Sequence, residues 1–158
     1  MAQRSAAVLL HRDGDGGHEV WIAHMGGPFW ARKDEGAWTL PKGIVEEGDT
    51  DELAAARREF AEEMGTPSPA ADYVALGEFR ASSKTFVVFA AEADFGPIEL
   101  ASNTFELEWP PRSGIVREFP EVDAAGWFPI ETARTKLAKG QRPILDALLR
   151  RLNDIQDR

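Results

Sequence analysis

The sequence predicts an α/β fold in which a mixed β-sheet is sandwiched between α-helices, as one domain over residues 1–158. Three observations predict it. Short apolar runs separated by turn residues recur along the chain, helical periodicity is confined to one central stretch and the C-terminal region, and a length of 158 residues suits one core. Size scaling gives such a chain a core that removes roughly 70% of its unfolded surface from water.

The elements follow in order. Ser5 to Leu10 and His18 to His24 flank Asp13-Gly14-Asp15-Gly16-Gly17, so an opening hairpin is expected. A glycine-, proline- and charge-rich stretch from Gly26 to Gly36 leads to Trp38-Thr39-Leu40, a short strand expected to stop at Pro41-Lys42-Gly43. The loop from Ile44 to Asp49 carries Glu46, Glu47 and Gly48. Thr50 to Met64 has helical spacing, with Thr50 or Asp49 as N-cap, Asp51 and Glu52 at the positive end of the dipole, and Gly65 as terminator. Leu53, Ala56, Phe60 and Met64 form its apolar stripe.

Tyr73 to Arg80 and Thr85 to Ala93 read as two strands separated by Ser82-Ser83-Lys84. Thr104 to Trp109 alternates strictly, placing Phe105, Leu107 and Trp109 on one side and Glu106 and Glu108 on the other. A polar stretch after Pro110-Pro111 precedes a last strand over Ala124 to Phe128 and a short helix from Ile130 to Lys139. A final helix after Pro143 gathers Leu145, Leu148, Leu149 and Leu152 on one face.

Composition limits the chemistry. The chain has no cysteine, so disulfides, thiolate nucleophiles and cysteine-held metals are excluded, and any metal must sit on oxygen or histidine. No apolar run approaches the ~20 residues of a membrane helix and no signal-peptide pattern opens the chain, so no membrane partner and a cytoplasmic location are expected. A net charge of -9 opposes nucleic-acid polymers. It leaves small phosphorylated molecules as partners, provided a cation stands between them and the protein.

Arg58-Glu59-Phe60-Ala61-Glu62-Glu63-Met64-Gly65 carries the chemistry. At about 100° per residue, Glu59, Glu62 and Glu63 fall within an arc of about 100°, away from the apolar stripe. They also occupy the last turns, where the helix dipole disfavours anions by ~0.3–1 kcal/mol each, and Glu59 with Glu63 is a repulsive i,i+4 pair. Helix stability does not favour that placement. A hard divalent cation such as magnesium would, because it prefers carboxylate oxygens, waters and phosphates. A solvated acidic face is the competing reading of the short motif taken alone.

The wider stretch from Gly43 to Gly65 resembles the Nudix box, a glycine-led loop and helix ending in Arg-Glu-apolar-x-Glu-Glu-x-Gly. Every residue of that terminal half matches, and Trp38-Thr39-Leu40-Pro41-Lys42-Gly43 is similar to the strand that leads into the box. The resemblance implies a Nudix fold and magnesium-dependent hydrolysis, with manganese as a substitute, of a nucleoside diphosphate linked to another group. It implies Glu59, Glu62 and Glu63 as metal ligands, with the carbonyl of Gly43 as a further one, and Glu59 and Glu62 at the catalytic centre. Two departures stand out: Asp49 replaces the family's glutamate, and eight residues rather than seven separate it from Arg58.

Pro41-Lys42-Gly43 resembles the box lead-in of dinucleoside polyphosphate hydrolases, so Lys42 is a substrate-binding candidate, and nucleoside triphosphates stay alongside as substrates. Nucleotide sugars stay open too. Trp38 is a candidate for stacking on a base, with core packing as its alternative, and Arg80 a candidate phosphate clamp, with a solvated surface charge as its alternative. Because the family often adds a glutamate from beyond the box, Glu106 or Glu108 is expected to complete the site as general base, an edge-strand role being the rival. The alternative function is a Nudix-like sensor that binds a nucleotide without cutting it.

Overall fold

The computed structural model describes residues 3–81, 83–96 and 99–156. Its main sheet is built on one long strand, β1 (Gln3–Gly14), with β2 (Gly17–Met25) returning antiparallel beside it. β1 and β2 pair only from His11–Val20 to Gly14–Gly17, which leaves the N-terminal half of that edge of β1 free. The free edge explains one departure from expectation. After β3 (Trp38–Thr39) the chain does not stop at Pro41-Lys42-Gly43 but forms β4 (Lys42–Ile44), antiparallel to Ser5–Ala7 of β1.

On its other edge β1 pairs in parallel with β6 (Lys84–Glu92), and β5 (Val74–Ala81) closes that side. Both match the expected strands to within a residue or two; Ser82, in the turn between them, lies outside the described residues. β9 (Val122–Pro129) is the expected last strand, and it pairs antiparallel with β2. β7 (Thr104–Glu108) pairs with β8 (Val116–Pro120) in a separate two-stranded ribbon. β8 was hidden in a stretch expected to be merely polar, because a ribbon with little buried surface imposes no apolar alternation.

Alternation along the strands supplies two core layers. Ala6, Val8, Leu10, Trp21 and Ala23 face α1 (Glu52–Met64), whose Ala55, Ala56, Phe60 and Met64 are buried against them. Ala7, Leu9, Val20, Ile22, Phe86 and Val88 face the C-terminal helices, meeting Ile130 and Ala133 of α2 (Ile130–Lys136) and Leu145 and Leu148 of α3 (Arg142–Gln156). The sheet is therefore sandwiched between helices. Full burial of a side chain such as Phe60 stabilises this arrangement by roughly 1.5–3 kcal/mol.

Three local expectations change. Leu53 is only half-buried and Ala55 takes its place in the stripe. α1 is capped by Asp51, whose carboxylate accepts from the Ala54 N–H at 2.8 Å, because Asp49 and not Asp51 is engaged with Arg58. α2 ends at Lys136, after which Leu137 turns extended and is buried against Trp38, and residues 139–141 form a short 3-10 turn. Gly65 ends α1 in the left-handed region at φ 75°, as expected.

Candidate active site

The site is assembled where the split edge of β1 meets α1. β4 is laid along β1 by its ladder, and α1 packs on the same sheet, so the backbone of Lys42 and Gly43 lies directly beneath the helix's acidic side. Gly43 has no Cβ for a reason of space: one placed there would lie 1.9 Å from Cδ of Glu59. The Glu59 carboxyl therefore rests on the Gly43 backbone itself. Next to it the Lys42 N–H donates to Oε1 of Glu63 at 3.2 Å.

Arg58 ties the cluster together. Its guanidinium donates to both oxygens of Asp49 at 2.8 and 3.0 Å, to Glu59 at 2.8 Å, to Glu62 at 3.4 Å and to the Ile44 carbonyl at 3.1 Å. Asp49 also accepts from the Glu46 N–H at 2.8 Å. The two departures from the box pattern thus meet in one contact, since the shorter acid and the longer lead-in still deliver a bidentate pair with Arg58. Held by Arg58 and the Glu46 amide, Asp49 titrates well below its ordinary value, at about 2.

Glu62 is the most open of the three box glutamates, at 39% side-chain exposure, whereas Glu59 is at 13% and Glu63 is buried. Burial pushes the Glu63 carboxyl up to about 8, only partly offset by the Lys42 amide and ammonium. Glu59 is also raised, again by burial first, with Glu62 and Glu121 adding repulsion and Arg58 opposing. Lys42 lies in this field: burial lowers its pKa while Glu63, Glu59 and Glu121 raise it, and its Nζ stands 5.5 Å from the Phe86 ring centre. Lys42, expected to bind substrate, therefore stands beside the box glutamates.

Glu121 is the residue that sequence reasoning missed. It stands exposed between β8 and β9, and its carboxyl is raised by partial desolvation first and then by the charge of Glu62, with Lys42 opposing. Three backbone bonds bring it there: Gly26 N–H to Glu121 O at 2.8 Å, Glu121 N–H to Asn103 O at 2.9 Å, and Asn103 N–H to Glu62 O at 2.9 Å. No local pattern announces it, because the juxtaposition depends on β9 returning beside β2 and on a chain segment crossing to α1. Glu106 and Glu108 do share a face, as their alternation requires, but it is the exposed face of the β7–β8 ribbon, with Glu106 opposite Glu118. The charges acting on Glu59, Glu63 and Glu121 come from Arg58, Lys42, Glu62 and one another.

Two substrate candidates are placed elsewhere. Trp38 is corrected to a core residue: it is 8% exposed, its Nε1 donates to Asp34 at 2.8 Å, and its ring meets His24 and Phe128 edge to face at 5.2 and 5.1 Å. A ring so enclosed offers no face to a base. Arg80 lies exposed on the edge strand β5, opposite Thr85, rather than among the glutamates.

Among the described residues no group of three His, Asp or Glu side chains is already arranged to hold a metal ion. The donor set nevertheless fits magnesium, which retains waters and takes substrate oxygens beside one or two carboxylates rather than needing a protein cage. The Glu59 carboxyl rests on a glycine whose missing Cβ opens the backbone, Glu63 accepts from the neighbouring Lys42 N–H, and desolvation raises Glu59, Glu63 and Glu121 alike.

The NUDIX domain family matches residues 1–148. Nudix hydrolase 6 of Arabidopsis thaliana is 33% identical over 99 residues, 63% of this chain, and the match spans only 30% of that protein's length. Among solved structures, a C. elegans Ap4A hydrolase binary complex superposes with a TM-score of 0.65 at 20% identity, covering 96% of this chain and 98% of its own. The NUDIX domain of Shewanella oneidensis NrtR complexed with ADP ribose gives 0.62 at 17% identity, covering 96% and 89%. These likenesses carry the fold, and the match over residues 1–148 together with the intact acidic half of the box carries the family: the chain belongs to the Nudix family.

Proposed function

We propose that the protein hydrolyses a pyrophosphate linkage in a nucleoside diphosphate derivative, with dinucleoside polyphosphates and nucleoside triphosphates as the leading substrates and magnesium as cofactor. The observation that carries this reading is the packing of the Glu59 carboxyl on the Gly43 backbone and of Glu63 on the Lys42 N–H, with the charges of Glu62 and Glu121 acting on Glu59. A bound magnesium ion would supply charge neutralisation at the phosphoryl group and a more acidic water.

The chain's own residues set up the rest. Glu59, Glu62 and Glu63, with the Gly43 carbonyl, would hold the cation, and Arg58 fixes Glu59 and the box loop so that little reorganisation is left for the reaction. Lys42 binds substrate oxygens as a cation already desolvated by its surroundings. Glu121 comes from a separate part of the chain, between β8 and β9, and is the acid we assign to accept the proton of the attacking water, in place of Glu106 or Glu108. Complete retention of the glutamate set favours an enzyme over a sensor of nucleotides.

The test is a panel of dinucleoside polyphosphates, nucleoside triphosphates, ADP-ribose and a nucleotide sugar, incubated with and without magnesium, with products identified by mass spectrometry. Magnesium-dependent release of two phosphorylated fragments is expected. Binding without turnover across the panel would leave the sensor reading, and activity confined to ADP-ribose would overturn the substrate ranking.

A further inference from the structure

Four aromatic rings, Phe29, Phe105, Trp109 and Phe119, belong to neither core layer. Phe29, in the loop after β2, is the one aromatic among the large apolar side chains that stand exposed among the described residues, at 57%. It is not isolated: its ring meets Trp109 edge to face, with centres 5.3 Å apart and planes at 79°. Behind this pair Phe105 and Phe119 face each other across the β7–β8 ribbon at 6.1 Å.

Two glycines set the loop on the ribbon. A Cβ at Gly26 would fall 1.9 Å from the Pro120 carbonyl oxygen, and one at Gly27 would fall 2.8 Å from Cζ of Phe105. The Gly26 N–H is bonded to the carbonyl of Glu121, so the loop that presents Phe29 is anchored on the backbone of an acid of the cluster. Phe119 is two residues from that same acid. The aromatic surface and the acidic cluster are therefore joined through the backbone of Glu121.

An exposed Phe29 braced on a half-buried Trp109, tied through the backbone to the acidic cluster, suits one occupant best, a planar base carried on the phosphates that the cluster would receive. Edge-to-face packing fixes the Phe29 ring while leaving most of it accessible, and base–aromatic stacking is favourable and sequence-tolerant. We propose that Phe29 and Trp109 form the base-recognition rim of the site, so that the substrate is a nucleotide held by its base at the β7–β8 ribbon and by its phosphates at the glutamates. This inference rests on the hydrolase reading above and names the part of the substrate that the acids do not touch.

Binding without hydrolysis separates the two. Wild-type protein is titrated with AMP and with ribose 5-phosphate, following tryptophan fluorescence and nuclear magnetic resonance shifts. AMP is expected to bind about 5- to 100-fold more tightly, a difference that Phe29→Ala removes and Trp109→Phe largely keeps. In turnover assays with whichever nucleotide the panel identifies, Phe29→Ala should raise KM by the same factor with kcat changed less than about 3-fold. Equal affinity for the two ligands would overturn the rim whether or not the protein hydrolyses anything. A change of molecular mass in solution with Phe29→Ala, at unchanged AMP affinity, would also overturn it, by making the patch an interface between protein chains.

Discussion

Adding one methyl group at Gly43 probes the site more sharply than removing any charge. The new Cβ would lie 1.9 Å from Cδ of Glu59, against the ~3.5 Å at which carbon atoms rest, so the carboxyl must retreat by about 1.6 Å. A retreat of that size takes the Glu59 carboxyl off the Gly43 backbone and away from the position in which Arg58 now holds it at 2.8 Å. Displacements of about 1 Å at a reacting centre cost on the order of 100-fold, so Gly43→Ala should lower kcat/KM by about 100-fold or more, ~2.7 kcal/mol of transition-state stabilisation. Because the displaced group is the end of a flexible side chain, the stability cost should stay below about 1 kcal/mol, a Tm change of no more than about 2–4 °C in a chain of this size. Gly48→Ala is the control, since its Cβ would meet nothing within 4 Å. Steady-state kinetics and calorimetry on both variants decide the matter: activity within about 3-fold of wild type in Gly43→Ala would refute the close packing of Glu59 on this backbone.

Glu121→Gln should lower turnover by about 10²–10⁴-fold at saturating substrate, while Glu106→Gln and Glu108→Gln stay near wild type; the reverse result would return the base to the ribbon. Asp49→Asn should weaken Arg58's hold on the cluster and lower kcat by about 10-fold. Because the folded-state pKa of Asp49 is depressed to about 2, its contribution to stability is present above the ordinary carboxylate range and is lost as pH falls through 2; Tm measured between pH 5 and 2 should decline less steeply in Asp49→Asn. Burial lowers the pKa of His11, with Glu92 and Asp13 opposing, so the folded state binds fewer protons than the unfolded chain below pH 6.5. Stability should therefore fall as pH drops below 6.5, and His11→Gln should flatten that part of the Tm profile; an unchanged profile would contradict the burial effect.

What could be read from the sequence was what repeats at short range. The 3.6-residue period located α1 and its two faces, apolar runs bounded by turn residues located β5, β6 and β9, alternation located β7, and the box pattern picked out Glu59, Glu62 and Glu63. What could not be read depends on which segments meet. β4 exists because β2 leaves part of β1 unpaired, and Trp38 is enclosed because Phe128 and Leu137 arrive from the far end of the chain. Glu121 reaches the cluster through Asn103 and Gly26, residues distant in sequence and unremarkable in type. Asp51 rather than Asp49 caps α1 for a similar reason: two acids of equal capping propensity are separated only by which of them Arg58 takes.

If the box glutamates work through a divalent cation on a nucleotide pyrophosphate, magnesium titrated into wild-type protein and into Glu62→Gln must separate the two when turnover of the preferred nucleotide is followed. Glu62 is the natural choice because it is the least buried of the three, so its amide should leave the fold and Tm nearly unchanged. No turnover is expected without the ion, saturable activation is expected of wild type, and Glu62→Gln should be slower by orders of magnitude at every magnesium concentration. Turnover that is independent of magnesium, or equal in the two proteins, would contradict that role of the box glutamates.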